Sequence, residues 1–229
     1  MAAGISMISS MATKQVLADL VAQWSAISGT AVNVESVGGV DAAKRVQAGE
    51  AVDVVVLAAN AIEQLTQTGC IVAGSRVDLV KSGVFVAVRA GAPWPAIDSE
   101  EAVKQAVLAA RNISYSTGPS GVHLLKLFER WGIADRIKAR TVQAPPGVPV
   151  GSLVARGEVE LGFQQLSELI HLQGVDVVGP LPPAIQLVTT FCAGLSVTSN
   201  QADVVRECLR FMASPAADEA KRRQGMEPA

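Results

Sequence analysis

Val52 to Leu57 reads Val-Asp-Val-Val-Val-Leu, apolar at five of six positions. A near-continuous, β-branched run of this length is the pattern of a strand buried on both faces, and such a strand needs helices above and below it. The preceding sequence supplies them. Ile5 to Ser9 is a short apolar strand. Val16, Leu17, Leu20, Val21 and Trp24 then recur at helical spacing up to Gly29. Ala31 to Val37 is a second strand closed by Gly38-Gly39. Ala42, Ala43, Val46 and Ala48 mark a second helix that stops at Gly49. Strand, helix, strand, helix, strand within about sixty residues is a doubly wound pattern.

A second unit repeats the scheme. Asn112 to Tyr115 is a strand, Val122 to Trp131 a helix, Ala139 to Gln143 strand-like, Val150 to Arg156 a helix and Leu161 to Phe163 a strand. Ser167 to Leu172 reads as a helical turn, Asp176 to Val178 as a strand and Gly179 to Pro183 as a rigid loop. Two extended segments, Arg76 to Arg89 and Leu187 to Ser196, join the parts. Helices follow from Ala202 to Met212 and on to about Arg223. The expectation is an α/β fold of two Rossmann-like lobes joined by a two-strand hinge. Lobe one comprises residues 1–82 plus 192–229, lobe two residues 90–184, and the crossovers are 83–89 and 185–191.

Composition agrees with covered parallel sheets and narrows the function. Of 229 residues, 49% are hydrophobic, 17% charged and 4% aromatic. A formal charge of −2 provides no basic face for nucleic acid. Lys221-Arg222-Arg223 reads as a solvated helix end whose cations complement the carbonyl dipole. The odd set Cys70, Cys192 and Cys208 has neither zinc spacing nor a disulfide framework, and reads as core thiols. No stretch is apolar and long enough to span a bilayer, so no membrane insertion is expected. Met1-Ala2-Ala3-Gly4 lacks the charged start and apolar core of a leader. The expectation is either a cytoplasmic chain or a secreted one whose signal has been removed.

In open α/β sheets ligands bind beyond the carboxyl ends of strands, at helix starts whose backbone N–H groups are unpaired. That rule selects five loops. Ser9-Ser10 at the first strand end either cap a helix or bind an anion, with Lys14 nearby to add charge. Gly38-Gly39 either form a simple turn or admit positive φ and close approach of a ligand. Ser116-Thr117-Gly118-Pro119-Ser120-Gly121 combines three hydroxyls, two glycines and a helix start, an anion cradle of the nest type. His123, placed in the first turn of that helix, donates a neutral hydrogen bond or packs. Gly147 to Ser152 is another turn feeding a helix, and Gln164-Gln165 follow a strand and can hydrogen-bond a carboxylate.

Nucleotide and hydrolase signatures are absent: there is no G-x-G-x-x-G, no P-loop, no G-x-S-x-G and no H-E-x-x-H. His123 and His171 are too isolated for a metal site, so neither metal nor cofactor is expected. Asp53, Glu158 and Glu160 read as strand-edge or solvated carboxylates.

Met7-Ile8-Ser9-Ser10-Met11-Ala12, Gln47 to Val55, Gly121 to Gly132 and Gly157-Glu158-Val159-Glu160-Leu161-Gly162 occur in this order. Together they resemble the type II periplasmic solute-binding proteins, specifically the molybdate-binding-protein-like group. The resemblance implies an anion held between two α/β lobes by hydroxyls and helix-start N–H groups. Ser10 matches the family's first-loop serine. Gly38 and Gly39 stand where molybdate binders place a second serine, and Gln164 and Gln165 where they carry a tyrosine. Relatives in the group bind citrate-like carboxylates, and one branch resembles aconitate isomerases. These departures imply a roomier, amide-rich site suited to an organic carboxylate.

The expected function is therefore a solute-binding protein that closes on a small anion and feeds an ABC-type permease. Its expected contacts are Ser9, Ser10, Gly38, Gly39, Ser116, Thr117, Ser120, Gly121, Gln164 and Gln165. Its location is periplasmic by resemblance, with the cytoplasm as the alternative. A second expectation is an isomerase of an unsaturated polycarboxylate with His123 or Lys14 as base. Binding of molybdate or another oxyanion is a third.

Overall fold

The computed structural model describes residues 4–229; Met1-Ala2-Ala3, weighed above for a leader, lie outside the described residues. The chain runs β1 (Ile5–Ser10), α1 (Lys14–Ser28), β2 (Val32–Val37), α2 (Gly39–Gln47), β3 (Val54–Ala58), α3 (Ala59–Gln67) and β4 (Val77–Arg89). It continues with α4 (Glu100–Ala109), β5 (Ile113–Tyr115), α5 (Pro119–Arg130), α6 (Ala134–Ile137), β6 (Thr141–Gln143), α7 (Val150–Ala155) and β7 (Leu161–Gln165). It ends with β8 (Val175–Pro180), β9 (Val188–Leu195), α8 (Ala202–Ala213), α9 (Asp218–Arg223) and β10 (Glu227–Pro228). The chain divides into two compact units, Met1–Ser82 with Thr189–Ala229, and Gly83–Val188.

In the first unit β1 lies between β2 and β3, parallel to both, and β9 joins β3 antiparallel. The apolar run behaves as its pattern requires. Val54 and Val56 enter one core with Leu17, Leu20, Trp24, Leu209 and Met212. Val55 and Leu57 enter the other with Ala42, Val46, Ile62 and Leu65. Successive residues of a strand face opposite sides, so one strand anchors two helix layers. The C-terminal β10 pairs with Val80 and Lys81 of β4.

Asp53, read as a strand-edge or solvated carboxylate, does adjoin β3 but is not solvated. It is only 8% exposed. It accepts from the Ser6 amide at 2.8 Å, the Ser6 hydroxyl at 2.9 Å, the Ser199 hydroxyl at 2.6 Å and Gln201 Nε2 at 3.0 Å. The carboxylate is the hub that fastens the 199–201 segment to β1. Burial opposes its charge, but the hydrogen bonds from Ser199, Ser6 and Gln201 outweigh it and hold the carboxyl below its usual range.

In the second unit β7 lies parallel to β5, and β5 parallel to β6. The Val84–Arg89 part of β4 runs antiparallel to β7 and to β8. Val84, Val86 and Val88 share a core with Val103 and Val107 of α4, Leu124, Leu127 and Phe128 of α5, and Phe163. On the other face α7 contributes Val150, Leu153 and Val154 to a smaller cluster. Gly162 gives α7 its close seat on β7, since a Cβ there would lie 2.6 Å from Val154.

Two local readings are corrected. Helix α5 starts at Pro119, not Val122, because Pro at the first helical position needs no N–H partner and has a preset φ. Strand β8 runs on through Gly179 to Pro180, where a loop was expected. Pro180 is exposed beside the register irregularity opposite Val86 and Ala87, and proline is tolerated at such bulges.

Replacing Asp53 with Ala strands four donor contacts in a mostly buried place. Urea unfolding of Asp53→Ala should show a loss on the order of 3 kcal/mol. Because the native carboxyl ionises more readily than an unfolded one, its contribution is complete above the ordinary aspartate pKa of 3.8. It fades as pH falls through the lower native value. The stability gap between wild type and Asp53→Ala should therefore close in acid.

Candidate functional site

Parallel pairing places the carboxyl ends of neighbouring strands on one edge. In the first unit the register sets Ser9 beside Ser36 and Ser10 beside Val37. Ser9 is fully buried, and its Oγ lies 2.8 Å from Ser36 Oγ. Ser10 precedes a 3-10 turn, Met11–Thr13, and its side chain makes no capping bond to that turn. Its Oγ lies 3.5 Å from Thr13 Oγ1, which donates to the Ser10 carbonyl at 3.0 Å. Lys14 is exposed at the start of α1.

Gly38 caps α2 with φ −57°, and Gly39 is its first residue. Neither is among the left-handed glycines, so the expectation of positive φ is corrected. What Gly39 provides is room. A Cβ there would sit 3.6 Å from the Ser10 Cβ and 3.9 Å from Leu57, ordinary packing distances. Ser10 and Gly39 are therefore neighbours on one edge.

In the second unit Tyr115 of β5 is level with Phe163 of β7 and with Gln143 of β6. The Ser116–Gly121 loop consequently leaves the sheet beside Gln164 and Gln165. Ser116 Oγ lies 3.0 Å from Ser120 Oγ and accepts from the Gly118 amide at 3.3 Å. Ser120 and Gly121 fall inside the first turn of α5, both buried. Gly121 is obligatory for a steric reason: a Cβ would collide with the Ser116 carbonyl oxygen and the Tyr115 ring. Thr117 is half-buried on the loop. His123 lies beyond the first turn, and its Nε2 is 2.8 Å from the Ile185 carbonyl oxygen.

Gln164 and Gln165 are buried at 1% and 3% exposure. Gln164 Oε1 accepts from the Gly151 amide at 3.2 Å, which occupies an early N–H of α7, in the Gly147–Ser152 turn. Its amide also hydrogen-bonds Glu168, which ends a 3-10 turn, Leu166–Glu168, directly after β7. Glu168 was not singled out from the sequence. Part of its residue surface stays accessible, yet protein surrounds the carboxyl. That burial pushes it up to about 7, against the opposing pull of the Gln164 hydrogen bond. Ser114, two residues before Ser116, keeps a buried Oγ with no partner among the described residues. No group of three or more His, Cys, Asp or Glu is placed to hold a metal among the described residues.

Two α/β units, the first interrupted by the second, make the fold of the periplasmic binding proteins. Residues 5–227 match the family described as bacterial extracellular solute-binding protein, and the chain belongs to it. The chain is 38% identical over 185 residues to an aconitate isomerase from Pseudomonas sp., across 80% of this chain and 70% of that one. Among solved structures it is similar to the periplasmic molybdate-binding protein of Azotobacter vinelandii. That match has a TM-score of 0.80 at 21% identity and covers 97% and 98% of the two chains. It is also similar to the tungstate-binding protein TupA of Desulfovibrio alaskensis G20, with a TM-score of 0.71 at 17% identity over 100% and 99%. Among the described residues no helix is long and apolar enough to cross a membrane.

Two substitutions should separate room from necessity. Gly39→Ala should change thermal stability by less than about 0.5 kcal/mol, and Gly121→Ala should cost at least about 2 kcal/mol by displacing the loop. A third tests Glu168. Its native carboxyl binds a proton more tightly than an unfolded one, so this group's contribution to stability is complete below 4.5 and is lost as pH rises through 7. Glu168→Gln should match the wild type near pH 4.5 and exceed it at pH 8 by up to about 3 kcal/mol in denaturant titrations.

Proposed function

We propose that this chain binds a small organic polycarboxylate and delivers it in the periplasm to an ABC-type permease. The observation that carries the reading is the shared edge of β5 and β7. Ser116, Thr117 and Ser120, the start of α5 and the Gln164–Gln165 pair converge there from strands in register. Hydroxyls, amides and helix N–H groups solvate a carboxylate without adding a counter-charge, which leaves binding reversible. Ser10 and Gly39 form a second polar edge within the first unit, with Ser9 holding Ser36 behind them and Gly38 capping α2. The absence of a serine hydroxyl at Gly38 and Gly39 favours a larger, flatter anion over a compact tetrahedral one. Lys14 is exposed and free to add charge at the rim.

The 38% identity to an aconitate isomerase supports a second reading, in which the same site shifts a proton along an unsaturated tricarboxylate. Such chemistry needs a group that exchanges protons near neutrality. His123 and Lys14 are the bases named from the sequence; Lys14 is exposed at the start of α1, and His123 Nε2 is engaged by the Ile185 carbonyl. Nδ1 is then the nitrogen left for that role.

A thermal-shift screen tests the first reading. trans-Aconitate and citrate should raise the midpoint, and molybdate, tungstate and sulfate should not. A large molybdate shift would reverse the assignment. Proton NMR of the protein with trans-aconitate separates binder from isomerase: appearance of the cis isomer, lost in His123→Ala, establishes turnover.

A further inference from the structure

Glu168 is a carboxyl with no part in the reading above, and its placement gives it one. It follows β7 by three residues, on the turn Leu166–Glu168. It shares a hydrogen bond with Gln164, and Gln164 is in turn fixed by the Gly151 amide at 3.2 Å. Gln164 therefore has its carbonyl end committed to α7 and its NH2 end turned to Glu168. The register that levels Tyr115 with Phe163 puts Gln164 at the height of Ser116, where the hydroxyl loop departs. The carboxyl is thus one amide away from the edge assigned to the anion.

Few other charges compete there. Strand β7 and helix α7 carry no ionisable side chain. Neighbouring ionisable groups are Tyr115 at the end of β5, His123 on α5, bound through Nε2 to Ile185, and His171 in the segment after Glu168. Arg156, just past α7, is paired with Glu158 at 2.5 Å. Burial alone pushes the Glu168 acid up, with no charged side chain among the causes.

We propose that Glu168 is the proton-coupling group of the site: it takes up a proton when the anion binds and releases it when the anion leaves. This rests on the anion-binding reading. The physical basis is reciprocity. An anion seated at the Ser116–Ser120 loop raises the cost of a second negative charge behind Gln164, so it tightens Glu168's hold on its proton. By linkage, protonation of Glu168 tightens the hold on the anion by the same factor. The neutral acid gains an O–H donor, and the repelling carboxylate disappears. The bound proton comes from solvent and returns to it, so no other reactant is needed.

Isothermal titration with trans-aconitate, whose own carboxyls stay ionised across the range, reads this out in buffers of differing ionisation enthalpy. For a coupling of about tenfold the wild type should take up roughly 0.4 proton at about pH 8, and its affinity should fall as pH rises from 7 to 8. Glu168→Gln should bind with little pH dependence and no proton uptake. Wild-type binding that is flat in pH with no proton uptake overturns the proposal, as does a Glu168→Gln variant that keeps the wild-type slope. Failure of the wild type to bind trans-aconitate, citrate or molybdate at any pH would instead sink the anion-binding reading, and the proposal with it. Carboxyl-detected NMR of the wild type needs no variant. Glu168 should titrate near neutrality without ligand and at higher pH when saturated with trans-aconitate; an unmoved titration overturns the proposal.

Discussion

Parallel strand pairing is the constraint from which the other features follow. In a parallel ladder every carboxyl end lies on one edge, and every return connection must be a helix that starts at that edge. Pairing of β1 with β2 and β3 therefore gathers Ser9, Ser10, Gly38 and Gly39, though they come from separate loops. Pairing of β5 with β7 does the same for Ser116 to Gly121 and the two glutamines. Antiparallel β9 and β4 run the other way, so the start of β9 pairs with the carboxyl end of β3 and Val84 of β4 pairs with Gln165.

At each edge the polar groups are held by one another before any ligand arrives. Ser9 engages Ser36, Ser116 bridges Ser120 and the Gly118 amide, and Gln164 spans from Gly151 to Glu168. Such pre-arranged donors lower the ordering cost of binding. They also make small residues indispensable wherever backbone must come close, and Gly121 against the Ser116 carbonyl is the clearest instance.

Much of this was legible in the residues. The β-branched run at Val52 to Leu57 announces a strand covered on both faces, and its side chains do divide between two cores. The hydroxyl-glycine segment before α5 announces a helix start. What composition and periodicity do not convey is which lone polar residue is enclosed. Asp53, between two valines, and Glu168, after Gln-Gln-Leu-Ser, both look like ordinary surface carboxylates in sequence. Donors brought from residues 199 and 201 by the fold make Asp53 a hub. Burial makes Glu168 a weak acid. Only the Pro119 signal was present and passed over: proline at a helix's first position would have set the α5 start correctly.

The interrupted first unit has a consequence for biosynthesis. Its core draws Phe191, Leu195, Val205, Leu209, Met212 and Met226 from the far end of the chain. The second unit is one unbroken stretch, Gly83–Val188. On a ribosome, which releases the chain from its amino end, the later-made unit can finish folding while the earlier-made one still waits for its last forty residues or so. Until they emerge, the apolar faces of β3 and α1 are without their C-terminal cover, and that nascent stage is when this protein has most need of a chaperone.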